Sequence, residues 1–316
     1  MAKRISRREF MEKSAKMGIS TVLGSSMICS VMNKSAYVFG NEDLDIAVAI
    51  GNDYSRNTGK AVELLGGISR FVPLGSKLAI LPNTQSKHPG TYTKPEIVRA
   101  VIRMCKKAGA KEVNCLSWLK RTDWEGTGLA QAVEEEGANL KLASAEDESF
   151  YKPVPVPEGK ALKQAQIMKE FFNNDVFINM PVTKDHAGNQ FTGTMKNLMG
   201  LNFRVNNRSF HKKGWREDVI AIEFLDQCIA DLNTVINPTL CIVDATEFIT
   251  TNGPFGPGEI IKPQKVVAGV DRVAVDSYCA TLWDIDAKDI VMINRGHEHK
   301  LGEIDLKKLK VKEVKV

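Results

Sequence analysis

The sequence predicts an α/β fold with a mainly parallel sheet flanked by helices and arranged as two lobes. Short apolar runs alternate with amphipathic stretches along residues 45–305, and turn or helix-stop glycines separate them. A proline-rich segment interrupts the alternation near the middle of the chain.

The first strand is predicted over Asp45–Ile50 and the first helix over Thr58–Leu65, ended by Gly66-Gly67. Lys77–Leu81 is the second strand. Thr93 and Glu96 have capping-box spacing with Pro95 in the first turn, which opens a helix to Lys107 that Gly109 closes. Val113–Leu116 and Leu140–Ala143 read as strands around a helix at Leu129–Glu136. Tyr151–Gly159 carries Pro153, Pro155 and Pro157, too many for either element, and is predicted to be a connector. Beyond it the pattern gives a helix over Ala161–Phe172, a strand over Val176–Asn179 and a helix over Glu217–Leu232. Strands at Leu240–Val243 and Val266–Ala268 and a helix through Val275–Leu282 follow. Leu309, Val311 and Val314 alternate with charges between Lys307 and Lys315, as on a solvated edge strand. The predicted organisation is a leader over 1–40, a lobe over 41–150, the connector 151–159 and a second lobe over 160–316.

In the leader, Ser6-Arg7-Arg8-Glu9-Phe10-Met11 precedes a moderately apolar stretch from Met17 to Met32. This is the pattern of a twin-arginine (Tat) signal peptide, so the export machinery is an expected partner and the expected location is periplasmic or otherwise extracytoplasmic. Gly18, Gly24, Ser25 and Ser26 interrupt the stretch, which is too short for a stable membrane span of about 20 residues. Residues 1–40 hold seven Lys/Arg against two Asp/Glu, the whole formal excess of five, and leave 36 basic and 36 acidic side chains in the remainder. The basicity therefore belongs to the leader, and no nucleic-acid partner is expected.

The remaining five cysteines lack paired Cys-x-x-Cys spacing, so there is no iron–sulfur or zinc motif, and Cys105, Cys228, Cys241 and Cys279 sit in apolar patterns typical of core thiols. No Gly-x-Ser-x-Gly elbow and no Gly-x-Gly-x-x-Gly after a strand occurs, which disfavours serine hydrolases and dinucleotide-binding dehydrogenases.

Polar residues fall at predicted strand ends, where open α/β sheets bind ligands: Asn83, Asn179, Asp244 and Asp271. The densest chemistry is Asn179-Met180-Pro181-Val182-Thr183-Lys184-Asp185-His186, followed by Thr192-Gly193-Thr194-Met195-Lys196-Asn197-Leu198-Met199-Gly200. Together with Leu81-Pro82-Asn83, Pro89–Glu96, Asn252-Gly253-Pro254 and Asp271–Asp276, these blocks resemble the signature of the family called domain of unknown function 362. Leu81 stands where that family commonly has lysine. Some relatives carry a ferredoxin-like module, which the resemblance would turn into a redox role; this chain lacks its cysteines.

From the residues themselves, Lys184 and Lys196 in or beside glycine-containing loops suit a small anionic molecule, a carboxylate or phosphate, that backbone amides can approach. His186 is the expected proton-transfer group, with Lys184 and Asp244 completing the catalytic set. Asn83, Asn179 and Asn197 are expected to orient the ligand, and Asn252, in a Gly- and Pro-rich loop, to wall it in or cover it. Asp276 is the candidate ligand for a divalent cation; the cofactor is otherwise open. His211 and the His297-Glu298-His299 run read as loop residues outside the site. The expected activity is proton transfer beside the anion or metal-assisted hydrolysis. The competing class is a non-catalytic accessory protein that delivers a metal or cofactor to an exported redox partner.

Overall fold

Eight strands build one mixed sheet in a computed structural model that describes residues 44–316. The twin-arginine motif and the apolar stretch after it lie outside the described residues. The strands are β1 (Ile46–Ile50), β2 (Lys77–Pro82), β3 (Glu112–Ser117), β4 (Asn139–Leu142), β7 (Val176–Met180), β8 (Leu240–Ala245), β11 (Lys265–Gly269) and β12 (Val311–Lys315), while β9 (Phe248–Ile249) and β10 (Ile260–Ile261) form a separate antiparallel pair. Their spatial order is β12-β1-β11-β8-β7-β2-β3-β4. Only β11 runs against its neighbours, pairing antiparallel with β1 and β8, so the sheet is mainly parallel as predicted. β12 is the edge strand expected at the C-terminus and pairs parallel with β1.

Alternation along each strand decides what covers each face. Ile46, Val48, Ala79 and Leu81 point into one apolar layer, while Ala47, Ala49, Leu78 and Ile80 point into the other. The second layer is closed by α1 (Tyr54–Leu64), α2 (Pro95–Lys107) and α4 (Leu129–Glu135), a short α3 (Arg121–Glu125) preceding the last. The first layer is closed by α7 (Val219–Leu232), α8 (Arg272–Thr281) and α9 (Val291–Glu298), with α5 (Thr194–Asn197) and α6 (Arg204–Phe210) wedged at the strand ends. Cys105, Cys115, Cys228, Cys241 and Cys279 are all reduced and buried in these layers, as their apolar settings predict.

Two elements differ from the sequence expectation. The proline-rich segment is not structureless: Tyr151–Pro155 forms β5, an antiparallel partner of β6 (Gln164–Met168). Ala161–Phe172, predicted as a helix, supplies β6 and a short 3-10 turn instead. Ala165 and Ile167 are buried two apart, so a two-residue period was present within a stretch whose longer spacing also fits a helix. Two prolines are tolerated in β5 because it has a single strand neighbour and leaves one edge unpaired. The predicted lobes share one sheet, with β1 to β4 from the first and β7, β8, β11 and β12 from the second, and the described residues fold as one unit.

Thr93 does not cap α2. Its hydroxyl donates to the Met180 carbonyl at 2.6 Å and accepts from the Asn83 amide at 2.9 Å, tying β2 to β7. The α2 N-terminus is served by Asp244, whose carboxylate accepts from the Lys94 amide at 2.8 Å.

Candidate functional site

A cavity of about 200 Å³ opens beyond the carboxyl ends of β2 and β3, between those strands and the segment that carries α5 and α6. This is where a parallel sheet leaves room for a ligand. Its floor is Asn83 and Asn197, its apolar side Leu81, Trp118 and Met199, and its polar side Lys196, His186 and Thr192, with Arg204, Arg208 and His211 from the α6 segment.

A ladder of side chains fixes the floor. Lys184 Nζ donates to Asn83 Oδ1 at 3.1 Å and to the Thr91 carbonyl at 2.7 Å. Asn83 Nδ2 donates to Asn197 Oδ1, and Asn197 Nδ2 donates to Asn179 Oδ1 at 2.8 Å and to the Leu81 carbonyl at 3.0 Å. Asn179 Nδ2 closes the series on the Thr194 carbonyl at 2.8 Å. Each amide meets a partner of opposite polarity, as buried polar groups require. Leu81 thus contributes its backbone oxygen to the ladder, whatever its side chain.

The amides of the glycine-containing loop bind an anion, but an internal one. Asp276 Oδ1 accepts from the Thr194 amide at 2.5 Å and Asp276 Oδ2 from the Met195 amide at 3.0 Å. Gly193 permits this approach, because a Cβ there would lie 2.3 Å from Asp276 Oδ1. Burial holds the Asp276 carboxyl up at about 6. Asp276 therefore anchors α5 rather than facing a cation, contrary to its predicted role. Among the described residues no group of three or more His, Cys, Asp or Glu side chains is placed to hold a metal.

Asp244 is corrected for the same reason. Besides the Lys94 amide, it accepts from the Thr246 amide at 3.0 Å and the Thr246 hydroxyl at 2.6 Å, and it does not line the cavity. Asn252 is exposed, in left-handed backbone, and donates to the Pro257 carbonyl at 3.1 Å, so it caps its own turn away from the cavity. That loop braces the signature from behind: the Gly253 amide donates to Asp185 Oδ2 at 2.6 Å and the Ala187 amide to the Gly253 carbonyl at 3.2 Å. Asn179 and Lys184 sit behind the floor and support it without lining the cavity.

Four predicted residues do converge on the cavity: His186 and Lys196 on its wall, and Asn83 and Asn197 as its floor. His186 Nδ1 faces the Ala187 carbonyl at 2.7 Å, and since a carbonyl only accepts, Nδ1 carries the proton. Burial first, then the Lys196 charge, pushes His186 well below its ordinary pKa, so the ring is neutral and Nε2 bears a lone pair. His211, predicted to lie outside the site, repeats the arrangement with Nδ1 on the Asn207 carbonyl at 2.9 Å and a pKa lowered by burial and by Lys196. Both imidazoles pack on Trp215. The spacing Arg204–Arg208–His211, three and four apart, places three cationic or basic groups on one side of a short helix and could have revealed them. The predicted tail loop also changes character: His299 is buried against Asp231 at 2.8 Å and joins α9 to α7.

Lys196 is the group with least support. Its single hydrogen-bond partner among the described residues is Met199 Sδ at 3.9 Å, and burial lowers it to about 8, opposed by the Asp226 charge. The Thr192 hydroxyl is buried without a partner on the same cavity.

The model of a domain of unknown function, DUF362, matches residues 78–281, which include the strand ends, the asparagine ladder and the Lys196 block. The chain belongs to the DUF362 family. This DUF362 protein is 27% identical over 241 residues to a thylakoid-associated protein of Synechocystis, covering 72% of this chain and 70% of that one. Among solved structures it is similar to the lactate racemase apoprotein of Thermoanaerobacterium thermosaccharolyticum, with a TM-score of 0.44, 14% identity and coverage of 65% of this chain and 52% of that one. A Thermotoga maritima protein gives a TM-score of 0.39 at 14% identity, covering 61% and 51%. The chain spans about half the length of each of these two solved structures.

Proposed function

We propose that this DUF362 protein binds a small carboxylate or phosphate in the strand-end cavity and transfers a proton beside it. One observation carries the reading: Lys196, Arg204, Arg208, His186 and His211 line a single cavity to which no Asp or Glu among the described residues contributes. A pocket of one sign concentrates the opposite charge. Arg204 is paired with Glu146, whereas Arg208 makes no side-chain hydrogen bond or ion pair with a described residue and is the free guanidinium at the mouth. The Nε2 lone pairs of His186 and His211 accept a proton from carbon or oxygen next to the bound anion, and Lys196 and Arg208 hold the charge that develops. Asn83 and Asn197 orient the ligand from below.

Calorimetric titration of the purified chain with inorganic phosphate and with small carboxylates tests the binding. Saturable binding that weakens about tenfold in Arg208→Ala is expected, since a charge-assisted hydrogen bond contributes about 1.5 kcal/mol or more. Equal affinity in wild type and variant removes this wall from the site. The reading includes export through the Tat pathway to an extracytoplasmic compartment. A reporter fused after residue 43 is expected to leave the cytoplasm and to be retained when Arg7 and Arg8 are both changed to lysine, as fractionation would show.

A further inference from the structure

We infer that Lys196 is a nucleophile that forms an imine with a carbonyl compound bearing a carboxylate or phosphate, such as a 2-oxo acid. This rests on the anion-binding reading of the same cavity. Three features separate Lys196 from an electrostatic anchor. A lysine with a structural role is matched by oxygen acceptors, as Lys184 is by Asn83 Oδ1 and the Thr91 carbonyl; Lys196 has a thioether at 3.9 Å instead. The side chain is also 93% sequestered, on a residue with 7% exposure, yet it lines the cavity, so its amine meets a ligand and little water. Finally, the cavity already holds a second cation in Arg208, unpaired among the described residues, which leaves a ligand anion a partner that does not compete for the amine.

Burial favours the free base, against the pull of the nearby Asp226 carboxylate. With a pKa of about 8, roughly a tenth of the amine is neutral at pH 7, hundreds of times more than for an ordinary lysine. Anchored through its anionic group at Arg208, the ligand presents its carbonyl carbon to Nζ. The nitrogen lone pair forms the C–N bond while the carbonyl π pair moves to oxygen. Both amine protons then pass to that oxygen through the imidazole Nε2 atoms, and it leaves as water while the C=N bond closes. The Thr192 hydroxyl, buried on this wall without a partner, is positioned to hydrogen-bond the departing oxygen. No oxidant, reductant or metal enters the balance.

The test incubates the full chain with pyruvate, glyoxylate or glyceraldehyde 3-phosphate and cyanoborohydride, then maps reduced adducts by peptide mass spectrometry. Parallel calorimetry follows inorganic phosphate and small carboxylates. An adduct at Lys196 at near-stoichiometric occupancy, suppressed at least tenfold by saturating phosphate and absent from Lys196→Met, is expected. Modification spread over surface lysines with Lys196 untouched, or an adduct on Lys196 that phosphate leaves unchanged although phosphate binds, overturns the inference. The wild-type map stands even if the variant does not fold. Phosphate binding without any Lys196 adduct leaves the anion reading intact and ends the covalent one; absence of binding by both phosphate and small carboxylates ends the anion reading, and the adduct map alone then decides the covalent step.

Discussion

The floor and the cationic wall of the cavity are built from the same kinds of residue and obey opposite rules. On the floor, Lys184, Asn83, Asn197, Asn179 and Asp276 are each matched by internal partners, so their polarity is absorbed in holding β2, β7 and α5 together. On the wall, Lys196, Arg208, the two Nε2 atoms and the Thr192 hydroxyl have no oxygen or nitrogen hydrogen-bond partner among the described residues. Two lysines twelve residues apart in one signature thus have different roles. The difference teaches that residue type and proximity in sequence identify the neighbourhood of a site, while the partner count identifies its working groups.

Substitutions should separate the two regions. The largest effect is expected on the floor: Asp276→Ala strips two buried amides of their acceptor and should lower unfolding free energy by about 4 kcal/mol in denaturant melts. A loss below about 1 kcal/mol would mean that α5 does not depend on this carboxylate. Next comes the pH dependence of anion binding on the wall. Because Lys196 loses its proton near pH 8, sulfate affinity should be level below that pH and fall by up to about tenfold per unit above it. Sulfate keeps its own charge throughout, so a flat profile to pH 9.5 would remove Lys196 from the binding step.

A smaller effect, of opposite sign to the floor's, is expected for Lys196→Met. The native pKa lies below the usual 10.5, so burying this charge costs stability, fully below pH 8 and progressively less as pH rises toward 10.5, where the unfolded chain still holds the proton. Replacing it by a side chain of similar length should leave stability unchanged or raise it by about 1 kcal/mol at pH 7, with phosphate binding weakened but retained through Arg208. The smallest effect is that of Arg208→Ala, which should shift the thermal midpoint by no more than a surface substitution does, within about 0.5 kcal/mol, despite its weakened binding. A large loss of stability in either wall variant would erase the contrast with the floor.

Much of this was legible in the chain. The repeated strand–helix pattern gave the sheet and most of its elements, because a buried parallel strand must be a short apolar run and a covering helix must be amphipathic. The strand-end rule and the signature blocks led to Asn83, His186, Lys196 and Asn197, all of which line the cavity. Asp244, Asp276 and Asn252 were drawn in by the same rules and proved to satisfy backbone groups. A carboxylate at a strand end has the same sequence appearance whether it meets a ligand or the amides of a distant loop.

The sequence by itself determined the alternation of elements, the burial of the thiols and the stretch of chain where the chemistry lies, since each depends on local period and side-chain polarity. Only the tertiary structure decided which polar groups find one another. Asp276 reaches Thr194 across 82 residues and Lys184 reaches Asn83 across 101, while the α6 segment brings Arg208 and His211 to the cavity. Such pairings depend on how the elements stack against the sheet, and that packing decides which groups are left for a ligand.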